Sequence, residues 1–131
     1  MNLIQILLIG VVIFFVVRMI LSARPALTAT GANAAIQAGT AVLVDVREPA
    51  EWASGVAKPA TLLAMSDLRG SRTGWKPFLE KNRGKQIIVY CASGARSGSV
   101  ASLLKKEGHN AVNLGGFPRW SSAGLPTRRP N

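Results

Sequence analysis

Apolar residues run almost unbroken from Leu3 to Leu21, interrupted only by Gln5, Gly10 and Arg18. A helix over those positions is roughly 28 Å long, close to the thickness of a bilayer's hydrocarbon core. The polar positions do not fall on one stripe at helical spacing, which disfavours a helix lying flat on a membrane surface. Arg18 sits near the end of the run, where its long stem can carry the guanidinium out to the headgroups. The pattern predicts a transmembrane helix over about residues 3–21, inside an anchor segment 1–24. A cleaved signal peptide would carry Lys or Arg ahead of the apolar run, and none is there. Arg18 and Arg24 lie on its C-terminal side instead, so the rest of this single-pass protein is expected in the cytoplasm. A signal peptide with an exported domain, and a helix buried within the domain, are the competing readings.

Beyond Pro25 the pattern changes to short apolar runs separated by polar turns. Ala-rich Thr30–Gly39 predicts a short helix ending at glycine. Ala41–Asp45 is a continuous apolar run of strand length that ends on a charge. Glu48–Ser54 reads as a short helix closed by Gly55, and Ala60–Met65 as a second buried strand. Polar Ser66–Gly74 leads into a helix at Trp75–Asn82. Gln86–Tyr90 is the clearest strand and ends at Cys91. Ser97–Glu107 places Val100, Leu103 and Leu104 on one helical face, and Ala111–Leu114 is a last short strand before Gly115-Gly116. Strands apolar on both faces that alternate with short helices predict an α/β fold with a parallel sheet covered on both sides. In such sheets the ligand site lies beyond the carboxyl ends of the strands, where Cys91 and Asp45-Val46-Arg47 both fall. The domain is expected over residues 25–127, with 128–131 as a frayed tail.

Composition narrows the chemistry. At 131 residues the chain has room for one compact domain. Its single cysteine excludes an internal disulfide framework and a thiolate-rich metal cluster, and its single histidine excludes a His-cluster site. No metal and no cofactor are expected. The 6 acidic residues are too scattered for a paired-carboxylate glycosidase. The 16 Lys and Arg give a net charge of +10, but they are dispersed and lack the aromatic company of a nucleic-acid motif. Membrane proximity and anionic substrates fit better, and no nucleic-acid partner is expected. His109 reads as a solvated turn residue, and Trp52, Trp75 and Trp120 as packing.

What remains is Cys91. It ends a strand and is followed by Ala92-Ser93-Gly94-Ala95, small residues that let the chain curl so that successive N–H groups point inward at the start of a helix. A thiol in such a nest becomes more acidic, and the thiolate is the nucleophilic form. Arg96 adds a fixed positive fork expected to aim back over the loop and hold an anion. Ser93 and Ser97 could donate to that anion, and Ser97 equally suits a helix start. The reading requires a sulfur that is ionised near neutral pH and reachable from solvent. The alternative is a small buried hydrophobe at a strand end.

Cys91-x4-Arg96-Ser97 after an apolar strand resembles the active-site loop of the rhodanese domain, a single-cysteine sulfurtransferase module. Leu43-Val-Asp-Val-Arg47, Glu51-Trp52 with Gly55, Asn113-Leu-Gly-Gly-Phe117 with Trp120, and Ala123-Gly-Leu-Pro126 are similar to the family in the same order, over about residues 28–126. The resemblance implies a central, mostly parallel five-stranded sheet and a ping-pong reaction. Cys91 would take a sulfane sulfur from a small anionic donor such as thiosulfate, and pass it to a thiol or cyanide. The amides of Ala92, Ser93, Gly94, Ala95 and Arg96 would hold the transferred sulfur, with Arg96 helping to bind the donor. Asp45 and Arg47 would be structural near the site.

Phosphatases of similar fold have a loop one residue longer, which favours sulfur over phosphate here. Position 92 is often basic in such sulfurtransferases; Ala92 is not, which argues against tight thiosulfate binding and leaves other donors open. Gly55–Ala60 lacks the family's usual His and second Gly, so a rerouted loop is expected there. A non-catalytic binding module at the membrane, and phosphatase or arsenate-reductase chemistry, are the rival functions.

Overall fold

The computed structural model describes residues 1–22 and 27–130, with the backbone alone for 20–22. The first helix, α1, covers Leu3–Ser22, 20 residues with no acidic side chain in the first turn. Its side chains from Leu3 to Met19 are exposed, Phe14 and Phe15 among them. Over the described residues no helix is both long enough and apolar enough to cross a membrane, so the expected transmembrane helix is not a finding of the structure. Arg24, Pro25 and the boundary expected between them lie outside the described residues.

The remaining elements include the strands and helices that the sequence pattern predicts around Ala41–Asp45, Trp75–Asn82, Gln86–Tyr90 and Ser97–Glu107, together with shorter ones it does not. In order they are α2 (Ala29–Gln37), β1 (Ala41–Asp45), α3 (Pro49–Trp52), β2 (Val56–Ala57), β3 (Thr61–Leu62), α4 (Met65–Arg69), α5 (Trp75–Lys81), β4 (Gln86–Cys91), α6 (Ala95–Lys106), β5 (Ala111–Gly116), α7 (Phe117–Ser121) and β6 (Thr127–Arg128). Four strands make one parallel sheet in the order β3-β1-β4-β5. The fifth strand expected from the resemblance is not in it. Instead β2 and β6 form a separate antiparallel pair, Val56 against Arg128 and Ala57 against Thr127.

Strand β4 shows why its sequence is apolar from Ile87 onward. Successive side chains point to opposite faces. Ile87, Val89 and Cys91 therefore join Leu68, Trp75, Val100 and Leu104 on the side of α4, α5 and α6. Ile88 and Tyr90 join Ala32, Leu43, Leu114 and Trp120 on the side of α2 and α7. Both faces are covered from Ile87 onward, and the polar Gln86 stands at the half-buried start of the strand.

Element ends moved for identifiable reasons. The strand expected over Ala60–Met65 stops at Leu62, because Ala64 turns into α4 and the Asp67 carboxylate then accepts the amides of Thr73, Gly74 and Trp75. Helix α6 starts at Ala95 rather than Ser97, after Gly94 in the left-handed region with φ 97°. The stretch Gly55–Ala60, expected as a rerouted loop, contains β2, with the Ala57 amide donating to the Tyr90 hydroxyl at 2.9 Å. Residues 128–131 are not uniformly frayed. Arg128 lies in β6 and donates to the carbonyls of Lys58 and Ala60, both at 3.0 Å. Helix α7 went unforeseen, since five residues after a glycine pair offer no helical period to read.

Candidate active site at the carboxyl end of the sheet

Strand β4 delivers Cys91 to the sheet's carboxyl end, and α6 begins four residues later. Between them the main chain wraps the sulfur. The Gly94 amide donates to Sγ at 3.0 Å, and Ser97 Oγ lies 3.3 Å from Sγ and 3.4 Å from the Gly115 carbonyl. A hydroxyl has one proton to give, and an ionised sulfur is the stronger acceptor. Burial pushes the Cys91 thiol up, but the Ser97 hydroxyl and the amides of Ser97, Ser93 and Gly94 outweigh it and hold the thiol below its ordinary value. Cys91 itself is 0% exposed. The expectation of a sulfur open to solvent is therefore not met in this conformation, although Ala92, Ser93 and Ala95 around it are exposed.

The loop's shape is fixed by a second backbone. Asn113 donates from Nδ2 to the Gly94 carbonyl at 3.0 Å and accepts the Gly115 amide on Oδ1 at 2.9 Å. A Cβ on Gly94 would stand 3.1 Å from Gly115 Cα, and one on Gly116 only 2.7 Å from the Ala92 carbonyl oxygen. Gly94 and Gly116 are thus required by close approach, and the segment Asn113–Gly116 acts as the floor on which the cysteine loop rests. The sequence motif marked these residues without revealing that contact.

Arg96 has the Cys91 sulfur within reach, as the sequence suggested, but it is shared with a partner the sequence did not show. Its Nη1–Nη2 edge is held by Glu51, Nη1 to Oε1 at 2.6 Å and Nη2 to Oε2 at 2.8 Å. The pair is about one-third exposed. The Arg96 hydrogen bonds, acting against partial burial, lower the Glu51 carboxyl to about 2, helped by the Glu48 amide and the nearby charges of Arg96 and Arg47. In return Glu51, and then the charge on Cys91, raise Arg96. Sequence reasoning missed Glu51 as the partner of Arg96, because nothing links positions 45 residues apart until the fold brings them together.

Asp45 and Arg47 lie beneath this layer. Arg47 is 5% exposed and Asp45 0%. Asp45 accepts from the Arg47 amide, from Arg47 Nε and Nη2 (Nη2 at 2.7 Å), and from Trp52 Nε1 at 3.2 Å. Arg47 also donates to the Gly55 carbonyl at 2.8 Å and lies 5.0 Å from the Phe117 ring centre. The pair therefore ties the end of β1 to α3, to the start of β2 and to α7.

Two surface cavities lie apart from the sulfur. One, of about 510 Å³, is lined by Arg83, Lys85 and His109 at the opposite end of the sheet; the other, of about 420 Å³, is bordered by Ser54, Phe117 and Arg128. Among the described residues no group of side chains is placed to hold a metal ion.

Removing the Ser97 hydroxyl tests its part in the acidity of the sulfur. In Ser97→Ala the thiol should titrate at higher pH, so the pH at which alkylation of Cys91 reaches half its maximum rate should rise by about one unit. A stopped-flow alkylation profile from pH 5 to 10 reads this directly.

The model of the rhodanese-like domain family matches residues 28–123. A protein of Allochromatium vinosum named a sulfurtransferase is 37% identical over 93 residues, covering 68% of this chain and 79% of that one. An uncharacterised Synechocystis protein is also 37% identical over 93 residues, covering 70% of this chain but only 49% of the relative, so the chain spans about half that protein's length. Among solved structures, a rhodanese-related protein of Thermoplasma volcanium superposes with a TM-score of 0.66 at 27% identity, covering 80% of this chain and 98% of that one.

Proposed function

Since the chain belongs to the rhodanese-like domain family, we propose that it is a sulfurtransferase in which Cys91 carries the transferred sulfur. The observation that carries this reading is the sulfur at the end of β4, receiving the Gly94 amide and the Ser97 hydroxyl and held more acidic than an ordinary thiol. Relatives that bear the name sulfurtransferase support it.

In the first half-reaction the Cys91 thiolate attacks the outer sulfur of a donor. The donor's S–S bond breaks, and its inner group leaves with the bonding pair, as sulfite from thiosulfate or as a thiolate from a persulfide. The new terminal sulfur on Cys91 lies toward the amides of residues 92–96, where inward N–H groups offset its negative charge. In the second half-reaction a thiol or cyanide attacks that terminal sulfur, and Cys91 leaves as the thiolate it began as. No net oxidation occurs. The sulfur is covered at rest, and a donor approaches it past the exposed residues Ala92, Ser93 and Ala95.

Phosphatase chemistry fits less well. Four residues separate Cys91 from Arg96, and the Arg96 charge is already balanced by Glu51. The test is intact mass analysis after exposure to thiosulfate and to small persulfides. Addition of about 32 Da at Cys91, lost on adding cyanide or thiol, is the expected result. Failure of every donor to add sulfur overturns the reading.

The proposal extends to placement at a membrane, with the domain on the cytoplasmic side. It rests on the aliphatic and aromatic side chains that α1 exposes from Leu3 to Met19 and on the basic residues toward its C-terminal end. The full chain should sediment with membranes and resist alkaline extraction, while a chain lacking residues 1–24 should be soluble. Recovery of the full chain in the soluble fraction would sink this part alone.

A further inference from the structure

On the sulfur-transfer reading, the donor's charge has to be met by something at the loop, and the obvious candidate is Arg96. That guanidinium already has a full counter-charge. Glu51 accepts from both of its Nη atoms, at 2.6 and 2.8 Å, and the two side chains are each about one-third exposed. Two other basic groups lie near this end of the sheet, and only one of them has a carboxylate partner. Arg47 is buried against Asp45 and the Gly55 carbonyl, and Arg119 donates to the Leu114 carbonyl with its side chain against Gly115. Position 92, beside the sulfur, is Ala.

We infer that Glu51 is a specificity-determining residue: by neutralising Arg96 it tunes the site away from doubly charged donors such as thiosulfate and toward thiol persulfides, whose reacting end carries at most one charge. The physical ground is that a dianion entering this loop meets inward amides and a guanidinium whose charge Glu51 already balances, so part of its desolvation goes uncompensated. A persulfide brings less charge, and its departing thiolate leaves less behind. The chemistry on Cys91 is the same for both donors; only the charge to be accommodated differs.

Glu51→Gln separates charge from structure. Glu51 also closes a capping box with Glu48 at the start of α3, and Gln can make the same contact with the Glu48 amide. The substitution removes the carboxylate while keeping the helix start and one hydrogen bond to Arg96. For Glu51→Gln, kcat/KM with thiosulfate should rise about five- to tenfold, mostly through KM, while kcat/KM with glutathione persulfide changes less than twofold. Glu51→Asp, which retains the charge, should keep the wild-type preference. Arg96→Gln should depress thiosulfate use further, because it leaves Glu51 unpaired beside the sulfur, and the double variant should recover it. The inference is overturned if Glu51→Gln leaves the ratio of the two donors unchanged, or if it lowers both together with an unchanged melting temperature. If neither donor loads Cys91 in the wild-type chain, the sulfurtransferase reading fails first, and the two failures are distinct.

Discussion

Cys91→Ala is expected to abolish sulfur loading and turnover, by at least about a thousandfold, with little effect on folding. Cys91 is the only cysteine in the chain, so no second thiol can take over. Its side chain packs among Val89, Val100 and Ala101, and alanine keeps the small apolar volume there apart from one sulfur atom. The stability cost should be about 1 kcal/mol. Cys91→Ser is the sharper companion. A hydroxyl can keep the contacts of Gly94 and Ser97, yet it stays protonated at neutral pH and cannot form a persulfide, so geometry survives while chemistry does not. Mass analysis after donor treatment and a thermal melt of each variant check both halves. Retained turnover in Cys91→Ala would remove the sulfur from the mechanism.

Asp45→Ala should have the largest effect on stability. It strips the countercharge from a guanidinium that is 5% exposed and takes the acceptor from Trp52 Nε1 and from the Arg47 amide. Breaking a buried pair by removing one partner costs about 3–5 kcal/mol. Against a typical domain stability of about 5–15 kcal/mol, that should lower the melting temperature by roughly 15–30 °C. Replacing both partners together with apolar residues of similar volume should be milder than the single change, since no charge is then left unpaired. A thermal melt of the three variants decides whether Asp45 and Arg47 act as one unit.

Much of the fold was legible because its strands are short, apolar and separated by glycine-rich turns. The register of β4 in particular follows from an apolar run covered on both faces. What could not be read was anything created by contacts distant in the chain. The two-stranded pair of β2 and β6 joins residues about 70 apart, with Arg128 also reaching the carbonyls of Lys58 and Ala60, and a stretch of two residues has no period. The fifth sheet strand was taken from family likeness rather than from these residues, and the parallel sheet here has four. At the site, Cys91, Gly94 and Ser97 were legible from local spacing, since strand, curl and helix follow one another directly. The hold of Glu51 on Arg96 was not, because that partner lies on α3. The cover over the sulfur was also illegible, as burial depends on how closely Gly115-Gly116 approaches the loop.

That close approach also bears on how such a site can diversify. Apart from the Ser97 hydroxyl, the donors to the sulfur are main-chain amides, and the loop that carries them is set by two glycines and an asparagine rather than by the side chains of Ala92, Ser93 and Ala95. Those three side chains face outward and support none of the framework's hydrogen bonds given above. They form an exposed rim around a socket they do not hold together, so a library randomised at 92, 93 and 95 should search for new sulfur donors while the reactive centre stays intact.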